Sequence, residues 1–434
     1  MKKFSLAKKK TTRARFTQLG ISIALSVLLA FLTSDILFEF TPLKRAELST
    51  IDRRFRFRGP IHIPQDSLKV IIVEINQESF QSLPKKYPWP RSYYAHVVRN
   101  LKRAGALAVG FDMFFDQQNA EHPEDDDEFK KAILETGIIV VGCRIEPHTS
   151  SYALKNVMES YGNIFFGVDS AVGFANILPD DDGLYRSYRP FVYDPSVQRK
   201  FPTLAFGCLN KAFGKEPFSV VTNHKDDFAF ENITIPKNEE VNIFVNYYGP
   251  DYTFRHVKFA DVIDDHEFST SEEIDVGEEI NTFDDPDIGY LSSGIFKNKI
   301  VLIGSTMPEE KDLFPVAISK GKHIGDNLMY GVEIHANVIQ SVLDKNFLNK
   351  ESRWINLFVV MFFCAITFLV VEKFRSLKFR FQAMSEILGV GFMLMEAAFI
   401  TVGTFYLFKY ENYVAIMLEP MLAVGVGYIG AVVY

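Results

Sequence analysis

At 434 residues the chain has room for two or three domains. A formal net charge of -7 argues against a nucleic-acid partner. Three scattered cysteines, Cys143, Cys208 and Cys364, supply neither a zinc spacing nor a disulfide framework, although a single Cys143–Cys208 bridge stays open.

The N-terminus carries seven Lys or Arg before residue 16 and no acid (Lys2, Lys3, Lys8, Lys9, Lys10, Arg13, Arg15). An uncharged run follows, "FTQLGISIALSVLLAFLT" over 16–33, long enough to span a bilayer. It leads into "SDILFEF" rather than a small-residue cleavage site, so an uncleaved anchor is expected instead of a signal peptide. The basic tail places the N-terminus in the cytoplasm.

Beyond the anchor the pattern alternates. "LKVIIVEIN" (Leu68 to Asn76) is an apolar, β-branched strand, and "SYYAHVVRNLKRAG" (Ser92 to Gly105) an amphipathic helix with Ser92 as its cap. "ALAVGFD", ending on Asp112, is the next strand. "DDEFKKAILETG" (Asp126 to Gly137) is a second helix, and "IIVVG" a third strand. Strand–helix–strand order of this kind predicts an α/β domain with a mostly parallel sheet. Residues 163–248 read as an insertion of mixed character with one helix near Thr203 to Phe213. "NKIVLIGST" and "GVEIHANVIQSVLDK" then give a further buried strand and helix.

Two acidic stretches interrupt this order. "EHPEDDDE" has six acids in eight residues, and Asp264 to Asp287 has eleven acids and no Lys or Arg. Neither has EF-hand spacing, so both are expected to be solvated loops, and no metal site is expected. "PDDDGLYRS" reads as an Asp-Gly turn between strands.

Three further spans are predicted near the C-terminus, Trp354–Val371, Ile387–Phe408 and Tyr413–Tyr434. The link "EKFRSLKFRFQ", with four bases and one acid, should be cytoplasmic. Both basic clusters thus place residues from about 35 to 352 outside the cytoplasm. Glu396 and Glu419 fall inside predicted spans and are read as groups hydrogen-bonded across the bundle rather than as a transport path.

Several polar residues should meet at the carboxyl edge of the sheet, where α/β folds place their ligands. Glu74 and Asn76 end one strand and Asp112 another, Ser305 and Thr306 follow a third, and Arg91 opens the first helix. Arg91 is the expected partner of Asp112. "VLIGST" lacks the further glycines and the Lys of a phosphate loop, and no nucleophile elbow or H-E-x-x-H occurs. His335 follows Glu333 by two residues, so a helix puts them on different faces.

Four groups of residues carry a resemblance to a known family. These are "ELSTIDRRFRFRG" with Asp52, Arg54, Phe55 and Arg58; "WPRSYYAHVVRNLKRAGALAVGFDMFF" with Trp89, Pro90, Arg91, Gly105 and Asp112; "DDDGLYRSYRPF" with Asp182, Gly183 and Arg186; and "KNKIVLIGST" through "GVEIHANVIQSVL" with Gly304, Asp312, Gly331, His335 and Ala336. In this order they resemble the bacterial extracellular sensor domain called CHASE, type two (cyclases/histidine kinases associated sensory extracellular). One departure is Asn76, where the family commonly has an acid. The resemblance implies a multi-pass protein of the bacterial inner (plasma) membrane, a homodimer in contact with membrane lipid, and an unknown extracytoplasmic ligand or protein as signal. It also implies a cytoplasmic output domain after the last helix, often a class III adenylate or guanylate cyclase, whose metal-binding acids are not among residues 1–434.

The leading expectation is therefore a membrane-anchored sensor with no catalysis and no cofactor in this chain. Its ligand-contacting residues are expected among Asn76, Arg91, Asp112, Ser305, Asp312 and His335. An envelope-organising membrane protein and an external hydrolase built on Asp112, Arg91 and His335 are the alternatives. The hydrolase lacks a nucleophile–base pair at recognisable spacing.

Overall fold

The computed structural model describes residues 2–33, 41–145, 161–170, 172–195, 197–310, 312–321, 323–377 and 383–433. The "SDILFEF" stretch and the "KFRFQ" end of the basic link lie outside these. The chain forms two compact units, one from Pro60–Phe347 and one from Met1–Gly59 with Leu348–Tyr434. The helices used below are α1 (Lys2–Thr33), α2 (Thr41–Arg58), α3 (Gln77–Ser82), α4 (Arg91–Arg103), α5 (Pro123–Thr136), α6 (Leu204–Ala212), α7 (Phe259–Ile263), α8 (Gly331–Asp344), α9 (Arg353–Ser376), α10 (Ala383–Glu411) and α11 (Leu418–Val433).

The Pro60–Phe347 unit is built on one six-stranded sheet: β1 (Val70–Ile75), β2 (Ala108–Asp112), β3 (Ile139–Cys143), β4 (Val172–Phe174), β5 (Arg255–Lys258) and β6 (Ile300–Ser305). The order is β5-β1-β6-β2-β3-β4 and every neighbouring pair is parallel. The expected α/β class with a mostly parallel sheet is thus observed. Strand β6, from late in the chain, lies between the two earliest strands.

Side chains alternate across the sheet. Ile71, Val73, Val109, Phe111, Val141, Val301 and Ile303 share one face with the main core. There Phe111 meets Tyr94 of α4 and Phe129 of α5 edge-on. Tyr94, Val97, Val98 and Leu101 are the buried stripe of α4, at the spacing its helical period demands. The expected Ser92 cap is not made. Pro90 takes the N-cap position with no side-chain hydrogen bond, and Ser92 lies inside the first turn.

The opposite face is lined by small residues so that α6 and α8 can approach. A Cβ on Gly110 would lie 2.4 Å from Cys208 Sγ on α6. One on Gly304 would lie 2.9 Å from Val332 Cβ on α8. Cys143 belongs to the first face and Cys208 to the second, and both are free, so the bridge left open above is not formed.

The first acidic stretch opens a helix, which corrects the loop expectation there, and the second is mostly exposed loop around one short helix. Pro123 opens α5, and Glu124, Asp125 and Asp126 fill its first turn, where carboxylates favour the helix dipole. In the second stretch Thr270 and Glu273 form a reciprocal capping box on a short helix, Ser271–Val276. Glu273 also accepts from Asn281 N at 3.2 Å, and Asp264 from Thr282 N at 3.0 Å. The Asp-Gly turn forms as expected. Fully buried Arg186 donates to Asp180 at 3.1 Å and to both oxygens of Asp182 at 2.8 and 2.9 Å.

In the unit of the chain ends, among the described residues, two helices are long and apolar enough to cross a membrane, α9 and α10, where four were expected. The apolar part of α1, Phe16–Leu28, is shorter than such a span, as is α11, which begins only at Leu418. The reason for the second is local: Tyr413 and Val414 pair with Asn349 and Lys350 as a short parallel bridge, which takes the start of the expected span. Helix α11 nevertheless packs against α1, α9 and α10. Its small-residue stripe permits this: a Cβ on Gly427 would lie 2.5 Å from the Cys364 carbonyl oxygen on α9. Glu396 on α10 accepts from Thr367 Oγ1 on α9 at 2.7 Å, and Glu419 on α11 accepts from the Asn356 amide on α9. Both carboxylates are therefore hydrogen-bonded across helices, as read from the sequence.

The "DRRFRFR" segment of α2 grips the same unit. Buried Arg54 donates to Ala415 O at 2.6 Å, to Glu47 Oε1 at 3.0 Å and to Thr50 Oγ1 at 2.8 Å. Glu47 in turn accepts from the backbone N–H groups of Met417 and Leu418 at 3.1 and 2.9 Å, capping the N-terminus of α11. Phe55 packs edge-on against Phe408, with Arg58 stacked over both rings.

Candidate functional site

The face beneath α8 carries Glu74, Asp112 and His256 of the sheet. Glu74 is in register with Gly304, and Gly304 with Asp112, so the two carboxylates flank β6 at the carboxyl edge. His256 sits opposite Ile72 on β5. Strand alternation sends Glu74, Asp112 and His256 to one side and their apolar neighbours to the other. Helix α8 adds Glu333 and His335 from above, each aimed at a different cluster, as their i, i+2 spacing requires.

The first cluster is an acid–imidazole–acid bridge. His256 Nδ1 lies 2.9 Å from Glu74 Oε2, and its Nε2 lies 2.9 Å from Glu333 Oε1. Burial disfavours the imidazolium, but the hydrogen bonds to Glu333 and Glu74 outweigh it and push His256 up to about 9. Burial also works against the charge of Glu74. Donation from His256, from Thr306 Oγ1 at 3.1 Å and from the Asn76 amide at 2.8 Å prevails and holds its carboxyl below the usual range. Burial dominates for Glu333 and raises it, so the two carboxylates are not equivalent. Tyr252 stacks on the imidazole at 4.4 Å between centroids and donates its backbone N–H to Glu333 at 2.5 Å.

The second cluster surrounds Asp112. His335 Nε2 lies 3.8 Å from Asp112 Oδ1, and its Nδ1 lies 2.8 Å from the Tyr188 hydroxyl. Among the described residues, neither Asp112 Oδ2 nor His335 Nε2 has a hydrogen-bond partner. Burial, and then the charge of Asp312, push Asp112 well above the ordinary carboxylate range. Burial alone pushes His335 down to about 3, so it is neutral. Asp312 stands at the N-terminus of α8, where a Cβ on Gly331 would lie 2.8 Å from its Oδ2.

The sequence-predicted residues therefore do not gather in one place. Asp112 and His335 come together, while Asp312 stands beside Gly331 at the start of α8. Asn76 caps α3, accepting from Ser79 N at 2.9 Å, and orders Glu74. Ser305 only accepts from Met307 N at 3.2 Å. Arg91 is elsewhere and does not partner Asp112: its Nε lies 3.1 Å from Asp126 Oδ1, its guanidinium donates to Gln117 O at 2.8 Å, and it stacks over Phe115. The reason is the alternation itself. Helix α4 packs on the Phe111 face, and Asp112 points to the other. His256 was missed because "RHVK" is too short to stand out as a strand. Its one signal is the same alternation, His256 being polar beside buried Val257.

This arrangement can hold a proton, a cation or a hydrogen-bonding solute. No serine or cysteine lies paired with His256 or His335 among the described contacts. In comparisons with known proteins, the CHASE2 domain family matches residues 23–371 of the chain. No curated protein and no solved structure matches it.

Proposed function

The chain belongs to the CHASE2 domain family, a family of extracellular sensor domains, and on that premise we propose that it is a membrane-anchored receptor for an extracytoplasmic signal. The family match over residues 23–371 is the observation that carries this reading. In it, α1, α9, α10 and α11 all cross the bacterial inner membrane, the N-terminus is cytoplasmic, and residues from about 35 to 352 face outward. The packing of α11 against α1, α9 and α10 supports a four-helix bundle, even though α11 is short for a span. The signal acts at the polar face beneath α8, and the bundle, as a two-state element, passes the change to a cytoplasmic output domain. A class III adenylate or guanylate cyclase working as a homodimer is the output proposed.

A reporter chimera tests the relay. A class III cyclase catalytic domain is joined after Val433 and cyclic nucleotide synthesis is measured in membranes. Synthesis that changes when Asp112→Asn or Glu333→Gln is introduced supports the relay. Identical synthesis in both variants, with the chains folded and inserted, contradicts it.

A further inference from the structure

We propose that the Glu74–His256–Glu333 bridge is a proton-binding site, and that loss of its proton frees the first turn of α8 from the sheet edge, so that the signal read at this face is the pH outside the cytoplasm. The number of donors decides it. An imidazolium offers two N–H groups, and both are used: Nδ1 faces Glu74 Oε2 and Nε2 faces Glu333 Oε1, each at 2.9 Å. A neutral imidazole offers one N–H and one lone pair. One of the two carboxylates must then face a lone pair at hydrogen-bond distance. The three side chains are 12% exposed or less, so water is a poor substitute for the missing donor.

Glu333 is the carboxylate that loses its donor. Glu74 keeps two others, Thr306 Oγ1 at 3.1 Å and the Asn76 amide at 2.8 Å. Glu333 keeps the Tyr252 N–H, on the same oxygen that His256 uses. Its other oxygen, Oε2, has no hydrogen-bond partner among the described residues. Glu333 stands in the first turn of α8. Further along, α8 is held by side chains with no charge to lose: Asn337 accepts from Tyr248 N and Gln340 from Lys69 N, both at 2.8 Å. The helix is thus anchored beyond its first turn and switchable at its start.

The charged groups around His256 do not replace the lost proton. Lys258, two residues along β5, pairs with Glu78, and Lys320 lies 2.6 Å from Asp251. The other neighbours are acids or phenols. Asp251 and Tyr252 precede β5, with the Tyr252 ring stacked on the imidazole, and Tyr330 precedes α8, edge-on to Tyr252 at 6.4 Å. Asp261 lies on α7, and Asp112 stands across β6 from Glu74. Burial works against the imidazolium, and the two carboxylates outweigh it, raising His256 from 6.5 to about 9. Freed from the carboxylates, the imidazole returns toward 6.5. The equilibrium constant for opening the first turn should therefore rise up to about tenfold per pH unit between 6.5 and 9, then level off.

The switch stands on its own geometry, and only its use as a signal rests on the receptor reading. The test is amide hydrogen exchange of the full chain in detergent from about pH 6 to 10, corrected for the intrinsic pH dependence of exchange and followed in segments 252–258 and 330–337. Wild type should open across the window given above while β3 keeps its protection. Two variants should abolish the slope in opposite senses. His256→Gln has one donor and one acceptor at every pH, so its first turn stays open throughout. Glu333→Gln supplies an amide donor to the imidazole lone pair, so its first turn stays closed at high pH. His224→Gln, at an exposed histidine paired with Asp227, should keep the wild-type profile. A wild-type profile without slope overturns the proposal. So does a Glu333→Gln chain that opens as wild type does, and this variant decides alone if His256→Gln fails to fold. A flat wild-type profile in a chimera whose cyclic nucleotide synthesis still changes with Asp112→Asn would keep the receptor and remove the proton as its signal. Opening linked to pH with synthesis unmoved by any variant would keep the switch and sink the relay.

Discussion

Arg91 and Asp112 lie in one sequence motif but on opposite faces of a sheet, and their energetics should show it. Arg91 and Asp126 form the ion pair, so a double-mutant cycle with Arg91→Ala and Asp126→Ala should return a coupling of about 0.5–1 kcal/mol in thermal or chemical denaturation. The Arg91 and Asp112 pair should be additive. Coupling between Arg91 and Asp112 instead would mean that the register of β2 is wrong. Asp112 was legible as an edge residue because its apolar strand ends on it; its true neighbours came from chain segments far away. Truncating His256 to Ala strands Glu74 and Glu333 and should cost roughly 3–5 kcal/mol. The pH sign follows from His256 being raised from 6.5 to about 9. Its contribution is fully present below 6.5 and is lost as pH rises through 9. The melting temperature of wild type should fall across that window more steeply than that of His256→Gln. Parallel pH profiles would exclude the charged bridge.

The elements were read with uneven success for physical reasons. Strands β1, β2, β3 and β6 are buried on both faces and announce themselves as apolar runs. Strand β5 mixes exposed and buried residues over four positions and has no such signature. Sheet order depends on which helix covers which face, and that is set by glycines whose role appears only when the partner helix is in place. Gly110→Val should therefore destabilise by roughly 1–3 kcal/mol through overpacking against Cys208, while Gly137→Asn, at a solvent-open left-handed helix end, should be nearly neutral. The grip on α11 is likewise testable. Burial, then the charges of Glu47 and Glu419, push Glu351 up to about 7, while it accepts from Ile416 N at 2.8 Å. A raised carboxyl stabilises most below 4.5 and loses that contribution as pH rises through 7. Glu351→Gln should flatten the pH dependence of melting between those limits, by up to about 3 kcal/mol. An unchanged slope would place Glu351 in water.

At the scale of the whole molecule, the chain divides into the Pro60–Phe347 unit and the unit of the chain ends, and the proposed receptor requires the first to lie outside the cytoplasm. Charge asymmetry is the basis of that orientation in the sequence, since both basic clusters point the same way. Lengths alone were a poorer guide, because α11 yields its first residues to a strand bridge while packing among the other three helices. Cys143, Cys208 and Cys364 are buried, so a cysteine introduced on the surface reports with little background. The most direct test is a membrane-impermeant thiol reagent applied to intact bacteria carrying Ile288→Cys, a position that is 86% exposed. A receptor with an external sensor predicts labelling in intact cells that does not increase on permeabilisation. Labelling that appears only after permeabilisation would place the domain in the cytoplasm and contradict the account.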